Sequence, residues 1–143
     1  MIDELLECLL WDIDSTVAER GTRGPFDYTK VMDDSVKEDI QTIYKILRKG
    51  TQAIKFIFLT GRPESCRADT EKWLYFYGFE YDELIMRPDD CKDNNAIFKM
   101  NAYKKFIKDK YKVIAVFEDS VRAAQMYREI LKITCILVDD NKY

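Results

Sequence analysis

The 143-residue chain is 47% hydrophobic and 34% charged, with a formal net charge of −3, which is the balance of a folded globular domain. Its length favours one domain over residues 1–143, and its charge gives no global reason for tight nucleic-acid binding. The sequence contains no histidine, so catalytic triads that depend on histidine and histidine phosphatases are excluded.

The four cysteines are scattered without a CxxC pair, which argues against a zinc site and against structural disulfides. Free thiols are typical of a reducing compartment. The sequence shows neither the pattern of a signal peptide nor an apolar run long enough to span a membrane. We therefore expect a cytoplasmic protein without a membrane partner.

The first predicted strand runs from Glu7 to Trp11 and is followed by two acidic residues, Asp12 and Asp14. The carboxyl ends of strands in an α/β sheet line the ligand crevice. Two carboxylates placed there repel each other unless a hard cation such as Mg²⁺ lies between them. One of them can then act as a nucleophile and the other can shuttle a proton. An acidic turn after a core strand is the simpler explanation of this spacing alone.

A loop from Val17 to Met32 is predicted next, and its glycines and proline interrupt regular structure. It contains Arg20 and Arg23. The loop either carries arginines to the acidic strand end or is an ordinary solvated connection.

The first helix is predicted from the residues that follow this loop. Asp33, Asp34 and Ser35 offer capping oxygens. Apolar residues recur at helical spacing from Val36 to Leu47, and Gly50 ends the helix. This face is expected to pack in the core and to carry no chemistry.

A second buried strand is predicted over Ile54–Leu59, and it ends at Thr60, Gly61 and Arg62. A helix is expected to begin at Pro63. A hydroxyl, backbone N–H groups and a helix N-terminus together can hold a phosphate, and an arginine adds a bidentate anion donor. The alternative is that Thr60 only caps the helix.

The remaining elements continue the alternation of strands and helices. Lys99 lies in the first turn of the next predicted helix, and Glu118 with Asp119 follows the next buried strand. The elements are an edge strand at 84–86, a helix at 96–110, a strand at 113–117, a helix from 121 and a last strand at 134–138.

Alternating strands and helices predict an α/β fold, in which helices cover both faces of a parallel sheet. Three strand ends then carry an acidic pair, a hydroxyl–Gly–Arg turn and a second acidic pair. Three ordinary turns explain this convergence poorly, and a phosphoryl-transfer site explains it well.

These residues resemble the four motifs of the haloacid dehalogenase (HAD) phosphatase superfamily. Within it, the chain is similar to the 3′-phosphatase domain of phage polynucleotide kinase/phosphatase. The resemblance implies a Rossmann-like three-layer α/β/α sandwich, and the compact connections leave no room for a large cap domain. The motifs are Asp12-Ile13-Asp14-Ser15-Thr16, Thr60-Gly61-Arg62, Lys99 and Glu118-Asp119, and the closer markers are Arg23-Gly24-Pro25-Phe26-Asp27 and the segment from Asp93 to Lys99.

The resemblance implies that Asp12 attacks phosphorus and becomes an aspartyl-phosphate. Asp14 would protonate the leaving oxygen and then activate water. Mg²⁺ would be held by Asp12, the backbone carbonyl of Asp14 and Asp119. Glu118 stands where aspartate is usual in the phage enzymes, and it would act on the metal directly or through water.

The resemblance also assigns the substrate side of the site. Thr60 and Lys99 would bind the phosphoryl oxygens, Arg23 and Arg62 would contact the substrate, and Asp93 would support the loop around Lys99.

Besides Glu118, two further departures from the family pattern bear on these assignments. Ser15 stands where glycine is frequent. The interval from Asp93 to Lys99 is longer than expected, so that Lys92 and Lys104 are alternatives to Lys99.

The sequence thus predicts an Mg²⁺-dependent phosphomonoesterase that removes 3′-phosphates from DNA or RNA ends. A phosphatase for small esters, such as nucleotide or sugar phosphates, and a non-catalytic phosphate- or partner-binding module are the alternatives. No GxxxxGK[ST] motif occurs, so no kinase of that type is expected in this chain. An open site with a local positive patch would admit a nucleic-acid end, and the candidate residues are Arg20, Arg23, Lys30, Arg62, Arg67 and Arg87.

Overall fold

A computed structural model of the protein describes residues 4–141, with side chains up to residue 139. Its centre is a sheet of five parallel strands, which confirms the predicted Rossmann-like architecture. A separate antiparallel pair consists of two short strands. In chain order the strands are β1 (Leu6–Trp11), β2 (Ala18–Glu19), β3 (Ser35–Val36), β4 (Lys55–Pro63), β5 (Glu83–Arg87), β6 (Tyr111–Ser120) and β7 (Cys135–Asn141).

The strand order in the large sheet is β5-β4-β1-β6-β7, so β1 lies at the centre between β4 and β6. The helices are α1 (Glu38–Gly50), α2 (Arg67–Phe76), α3 (Asn95–Ala102) and α4 (Val121–Gln125). The last two continue as π-helical turns over Tyr103–Ile107 and Met126–Ile130. None of the described helices has the length and apolarity needed to cross a membrane.

Alternate residues of β1 build two separate hydrophobic layers, because successive side chains of a strand point to opposite faces. Trp11 packs on one face in a cluster with Tyr44 of α1 and Trp73 of α2. Leu10 packs on the other face with Phe98 of α3. Both faces of β1 are therefore covered, and the central strand ends where its next residue, Asp12, enters the site.

The predicted start of α1 was wrong. Ser35 and Val36 form β3, paired with β2, and α1 begins at Glu38 with Lys37 at its N-cap position. Asp34 does not cap this helix, because its carboxylate is buried against two arginines. The loop predicted over 17–32 is more ordered than expected, since it contains β2 and leads into a 3₁₀ helix at Tyr28–Asp33.

The predicted helix start at Pro63 was also wrong. β4 continues through Pro63, which lies opposite Arg87 of β5. A 3₁₀ turn at Glu64–Cys66 follows before α2 begins. The turn after Thr60 therefore lacks the helix N-terminus that the sequence placed there.

Candidate active site

The carboxyl ends of β1, β4 and β6 meet at one edge of the sheet, because these three strands are parallel neighbours. Asp12 directly follows β1, and Thr60 lies in β4. Glu118 and Asp119 lie at the carboxyl end of β6. Lys99 reaches the same point from α3 and is completely buried. The convergence of strand ends predicted from the sequence is thus observed.

A buried acidic cluster forms around Asp12; we use this term for Asp12, Lys99, Glu118 and Asp119. The Lys99 ammonium lies 2.9 Å from Asp12 Oδ1 and 2.6 Å from Glu118 Oε2. Thr16 joins the cluster because its hydroxyl lies 3.3 Å from Asp12 Oδ2 and 3.2 Å from Asp119 Oδ1. The backbone N–H of Asp119 donates to Glu118 Oε1 at 3.2 Å.

The cluster contains more negative than positive charge, and its pKa values reflect this. Burial and the neighbouring Asp12 charge raise the pKa of Asp119 to about 9 and that of Glu118 to about 7. Burial also opposes ionisation of Asp12, but the Lys99 ammonium outweighs it and holds the pKa of Asp12 below its usual value. Ionising all three carboxylates therefore calls for an additional cation.

The donor set of this cluster suits Mg²⁺. Carboxylate oxygens of Asp12, Glu118 and Asp119 lie within 4.8 Å of one another. Hard oxygen donors with excess negative charge favour a divalent cation such as Mg²⁺. These three residues could therefore hold the ion, and the raised pKa values of Glu118 and Asp119 mark the charge that it would neutralise.

A second group of charges surrounds the other acidic residue of the first motif. We call Asp14, Arg23, Asp34 and Arg62 the arginine–carboxylate network. Arg62 Nη2 lies 2.8 Å from Asp14 Oδ1 and 3.0 Å from Asp34 Oδ2. Arg23 donates to both oxygens of Asp34, at 2.8 and 2.9 Å, and to Asp14 at 3.1 Å. The Asp34 hydrogen bond, opposed by burial, raises the pKa of Arg23.

The network is anchored to α2. Arg62 Nη1 donates to the Thr70 hydroxyl at 3.1 Å, and the Trp73 indole N–H donates to the backbone carbonyl of Asp34 at 2.9 Å. The side chains of Asp34 and Arg62 are fully buried, whereas that of Asp14 remains 35% exposed. The network thus fixes Asp14 from behind and leaves it accessible from the cavity.

The turn after β1 directs alternate side chains to the two groups. Ser15 has φ = 63°, a left-handed conformation that favours glycine. The backbone N–H groups of Thr16, Val17 and Ala18 all donate to the carbonyl of Ile13. This tight turn lets Asp14 face the arginines while Thr16 returns to Asp12.

A cavity of about 1180 Å³ opens above both groups of charges. Asp12, Asp14, Glu118 and Asp119 line its floor. Arg20, Arg87 and Arg122 also line it, together with several apolar side chains. The cavity therefore has room for much more than a phosphate group.

The structure separates the three lysines that the sequence left as alternatives. Lys99 is buried against Asp12, whereas Lys92 and Lys104 are exposed. Thr60 is buried, and its hydroxyl accepts the Arg62 backbone N–H at 3.1 Å. Its assignment to the phosphoryl group stays a prediction.

The substrate contacts predicted for Arg62 and Arg23 stay predictions, and the structure shows what protein partners Arg62 has. Its side chain is fully buried and its donors are used by Asp14, Asp34 and Thr70. Arg23 is buried in the same way. Both arginines hold Asp14, because a buried guanidinium requires carboxylate partners.

The structure also shows the surroundings of Asp93 and of the predicted positive patch. Asp93 is exposed and lines the cavity, and its backbone carbonyl accepts from Arg87 Nη1 at 2.7 Å. The predicted positive patch is smaller than expected, because Arg67 pairs with Glu64 and Glu71. Only Arg20 and Arg87 of that set line the cavity without belonging to the arginine–carboxylate network.

Sequence reasoning missed Asp34 and Thr16. Asp34 was assigned to a helix cap, and no local pattern distinguishes a capping aspartate from one paired with distant arginines. Thr16 carried a usable signal, since it stands four residues after Asp12 in the turn that returns the chain to the site.

A Rossmann-like sheet with these motifs at its strand ends defines an α/β phosphatase domain of the HAD type. The family model for the polynucleotide kinase PNKP phosphatase domain matches residues 6–143, and the chain belongs to this family. The predicted superfamily and the similarity to polynucleotide kinase/phosphatase are thereby confirmed.

The relatives are longer proteins. The chain is 32% identical over 132 residues to a putative bifunctional polynucleotide kinase/RNA ligase of Autographa californica nuclear polyhedrosis virus. This match covers 90% of the chain and 19% of the viral protein. Chains in two solved structures, the Pnkp1/Rnl/Hen1 complex and the Pnkp1/Rnl/Hen1 RNA repair complex, superpose with a TM-score of 0.91 at 26% identity. Those matches cover 97% of this chain and 48% and 44% of the structural relatives.

A more distant match shows the shared fold alone. The HAD domain of effector protein Lem4 from Legionella pneumophila has a TM-score of 0.59 at 8% identity, over 98% of this chain and 89% of that one.

Proposed function

We propose that this chain is an Mg²⁺-dependent phosphomonoesterase that removes 3′-phosphates from nucleic-acid ends through an aspartyl-phosphate on Asp12. The observation that carries the proposal is the contrast between two carboxylates facing one cavity. Asp12 is buried beside an ammonium group that favours its ionised form. Asp14 is partly exposed and held by two arginines.

In the first step, an ionised Asp12 oxygen attacks phosphorus and the bond to the leaving oxygen breaks. Asp14 gives a proton to that oxygen. In the second step, Asp14 takes a proton from water, and the water oxygen attacks the phosphoryl group and releases Asp12. Lys99 offsets the charge of Asp12 and the phosphoryl oxygens, because phosphoryl transfer depends mainly on positioning and charge neutralisation.

Mg²⁺ would be held by Asp12, Glu118 and Asp119, with the backbone carbonyl of Asp14 as a further proposed ligand. When bound, it supplies positive charge that reduces repulsion between the carboxylates and the phosphoryl group. Thr16 orients two of these carboxylates through its hydroxyl.

Three observations support a polynucleotide substrate. The chain belongs to a polynucleotide kinase phosphatase family, and its viral relative is described as a kinase/RNA ligase. The cavity exceeds the needs of a small ester. Arginines line it at Arg20, Arg87 and Arg122, where phosphates of a longer chain would be neutralised. The described residues pack around one central five-stranded sheet, and this supports a single phosphatase domain over 1–143.

The test is phosphate release with Mg²⁺ from a 3′-phosphorylated oligonucleotide, in RNA and DNA form, beside a 5′-phosphorylated one and p-nitrophenyl phosphate. We expect preferential release from the 3′ end, and loss of release in Asp12→Asn. Trapping of radiolabelled phosphate on the acid-quenched protein, absent from Asp12→Asn, tests the aspartyl-phosphate.

Two results would redirect the proposal. Equal or higher rates on p-nitrophenyl phosphate would retain the mechanism and favour a small-ester phosphatase. Mg²⁺ binding without release from any substrate would favour a non-catalytic binding module.

A further inference from the structure

We propose that an apolar wall of the cavity is a binding site for the base of the 3′-terminal nucleotide. The wall consists of Ile97 and Met100 on α3, and Met126 and Ile130 on the helical segment after β6. This inference rests on the proposed function and adds to it a determinant that separates nucleotides from other phosphate esters.

The wall is built on the same two elements that deliver site residues. Ile97 lies two residues before Lys99 on α3, and the helix that carries Met126 begins directly after Ser120 at the end of β6. The two helical segments pack against each other, so the four side chains form one surface. This surface lines the cavity whose floor contains Asp12 and Asp14.

Two residues of the wall present apolar surface to the cavity. Ile130 is 61% exposed and Ile97 is 41% exposed, both beside a charged catalytic floor. A phosphate gains nothing from these side chains. A substrate that fits both features has an anionic group joined to a flat, weakly polar body, and a nucleotide has this composition.

Charge around the cavity favours a nucleotide at the end of a chain. Arg20 and Arg122 are exposed, and no ion pair involves either of them among the side chains that the structure describes. They provide positive charge beyond the floor, which complements the phosphates that precede the terminal nucleotide. Away from the floor, two acidic residues, Asp93 and Glu129, also line the cavity. With Arg87, the lining there has three arginines against these two carboxylates, which leaves an excess of one positive charge.

The test compares two 3′-phosphorylated oligonucleotides that differ only in the last nucleotide, which either carries its base or is abasic. The measured quantity is the ratio of kcat/KM on the first to kcat/KM on the second. This ratio does not depend on the fraction of active protein, so partial misfolding of a variant does not change it. We expect a wild-type ratio of roughly ten, which is the effect of a modest apolar contact.

The variants Ile97→Thr and Ile130→Thr reduce the apolar surface of the wall and keep a β-branched side chain. We expect each to reduce the ratio several-fold, and the double variant to bring it close to one. Ile97→Leu retains apolar volume and should keep most of the ratio. Ile46→Thr is the matched control, since Ile46 is 64% exposed on α1 and does not line the cavity.

Fluorescence anisotropy of both oligonucleotides with Asp12→Asn gives the same comparison without turnover. A base-dependent affinity that falls in Ile97→Thr supports the subsite even if 3′-phosphate release fails, which separates this inference from the proposed function. A wild-type ratio of one in both assays, or equal ratios in Ile97→Thr and Ile46→Thr, would overturn it.

Discussion

The two carboxylates of the first motif lie two residues apart, yet they belong to groups with different net charge. The buried acidic cluster combines three carboxylates with one ammonium, a formal charge of −2 when all are ionised. The arginine–carboxylate network combines two carboxylates with two guanidinium groups and is neutral. The first group is incomplete without a cation, and the second is complete as it stands.

Because of this difference, the short turn after β1 places two carboxylates in different chemical environments. Asp14 is fixed by partners that belong to the fold, so its geometry does not depend on a bound ion. Asp12 shares a buried site with Glu118 and Asp119, whose raised pKa values leave the site sensitive to pH and cations. The two groups should therefore respond differently to substitution, to Mg²⁺ and to pH.

Removal of Lys99 should have the largest effect, because it deletes the only cation of the buried acidic cluster. Lys99→Met is expected to lower kcat/KM by roughly 1000-fold. It should also lower the free energy of unfolding by about 3–5 kcal/mol, since Asp12 and Glu118 lose a buried partner. Phosphate release and urea unfolding measure the two effects.

Lys104→Met and Lys92→Met are the matched controls, because both lysines are exposed. Each should stay within about 0.5 kcal/mol of the wild-type stability. A loss of activity in either control equal to that of Lys99→Met would show that the wrong lysine has been assigned to the site.

Arg62→Lys tests the arginine–carboxylate network. A lysine keeps the charge but cannot donate to Asp14, Asp34 and Thr70 together, since it lacks the planar fork of the guanidinium. We expect the free energy of unfolding to fall by about 2–3 kcal/mol and kcat/KM to fall by roughly 100-fold.

The response of this variant to Mg²⁺ distinguishes the two groups. Mg²⁺ should stabilise Arg62→Lys and the wild type equally, because the side chains of the network take no part in binding the ion. Loss of that stabilisation in Arg62→Lys would mean that the two groups are not independent.

The buried acidic cluster should give the protein a pH-dependent response to Mg²⁺. Burial and the nearby Asp12 charge raise the pKa of Glu118 from its ordinary 4.5 to about 7 and the pKa of Asp119 from its ordinary 3.8 to about 9. Between these limits the folded state binds more protons than the unfolded state, so stability without metal should fall as pH rises from about 4 to 9. The lowered pKa of Asp12 acts in the opposite direction, and its contribution is lost only as pH falls below its unfolded value.

Mg²⁺ competes with these protons and should therefore stabilise the protein more at pH 8 than at pH 5. At pH 8, a free Mg²⁺ concentration of about 30 times the dissociation constant corresponds to about 2 kcal/mol. Thermal unfolding with and without Mg²⁺ at both pH values measures the difference. Asp119→Asn should reduce both the pH dependence and the effect of Mg²⁺, and an unchanged response in this variant would contradict the assignment.

The acidic cluster was largely predictable from the sequence because its members follow recognisable elements. The apolar run that becomes β1 stops at Asp12, and the run that becomes β6 leads into Glu118 and Asp119. Parallel topology then brings these ends together. Lys99 was placed in a first helical turn, although its complete burial depends on packing that no local pattern encodes.

The arginine–carboxylate network was only partly predictable. Its arginines were singled out, but their partner Asp34 was assigned to a helix cap. Its position depends on the pairing of β2 with β3, two strands of two residues each, which are too short to show a periodic pattern. The same pairing moved the start of α1, so one non-local contact accounts for both errors.

The smallest predicted effect concerns Ser15, the residue that separates the two groups. Its φ of 63° costs an L-amino acid about 1–2 kcal/mol, whereas glycine adopts it freely but gives up about 0.5–1 kcal/mol in chain entropy. Ser15→Gly should therefore raise the free energy of unfolding by about 0.5–1 kcal/mol, the difference between those two costs. Urea unfolding is the measurement, and Ser15→Ala is the control that keeps the left-handed cost. Because Asp14 and Thr16 leave this turn in opposite directions, a destabilised Ser15→Gly would mean that the serine side chain, and not the backbone, holds the two groups apart.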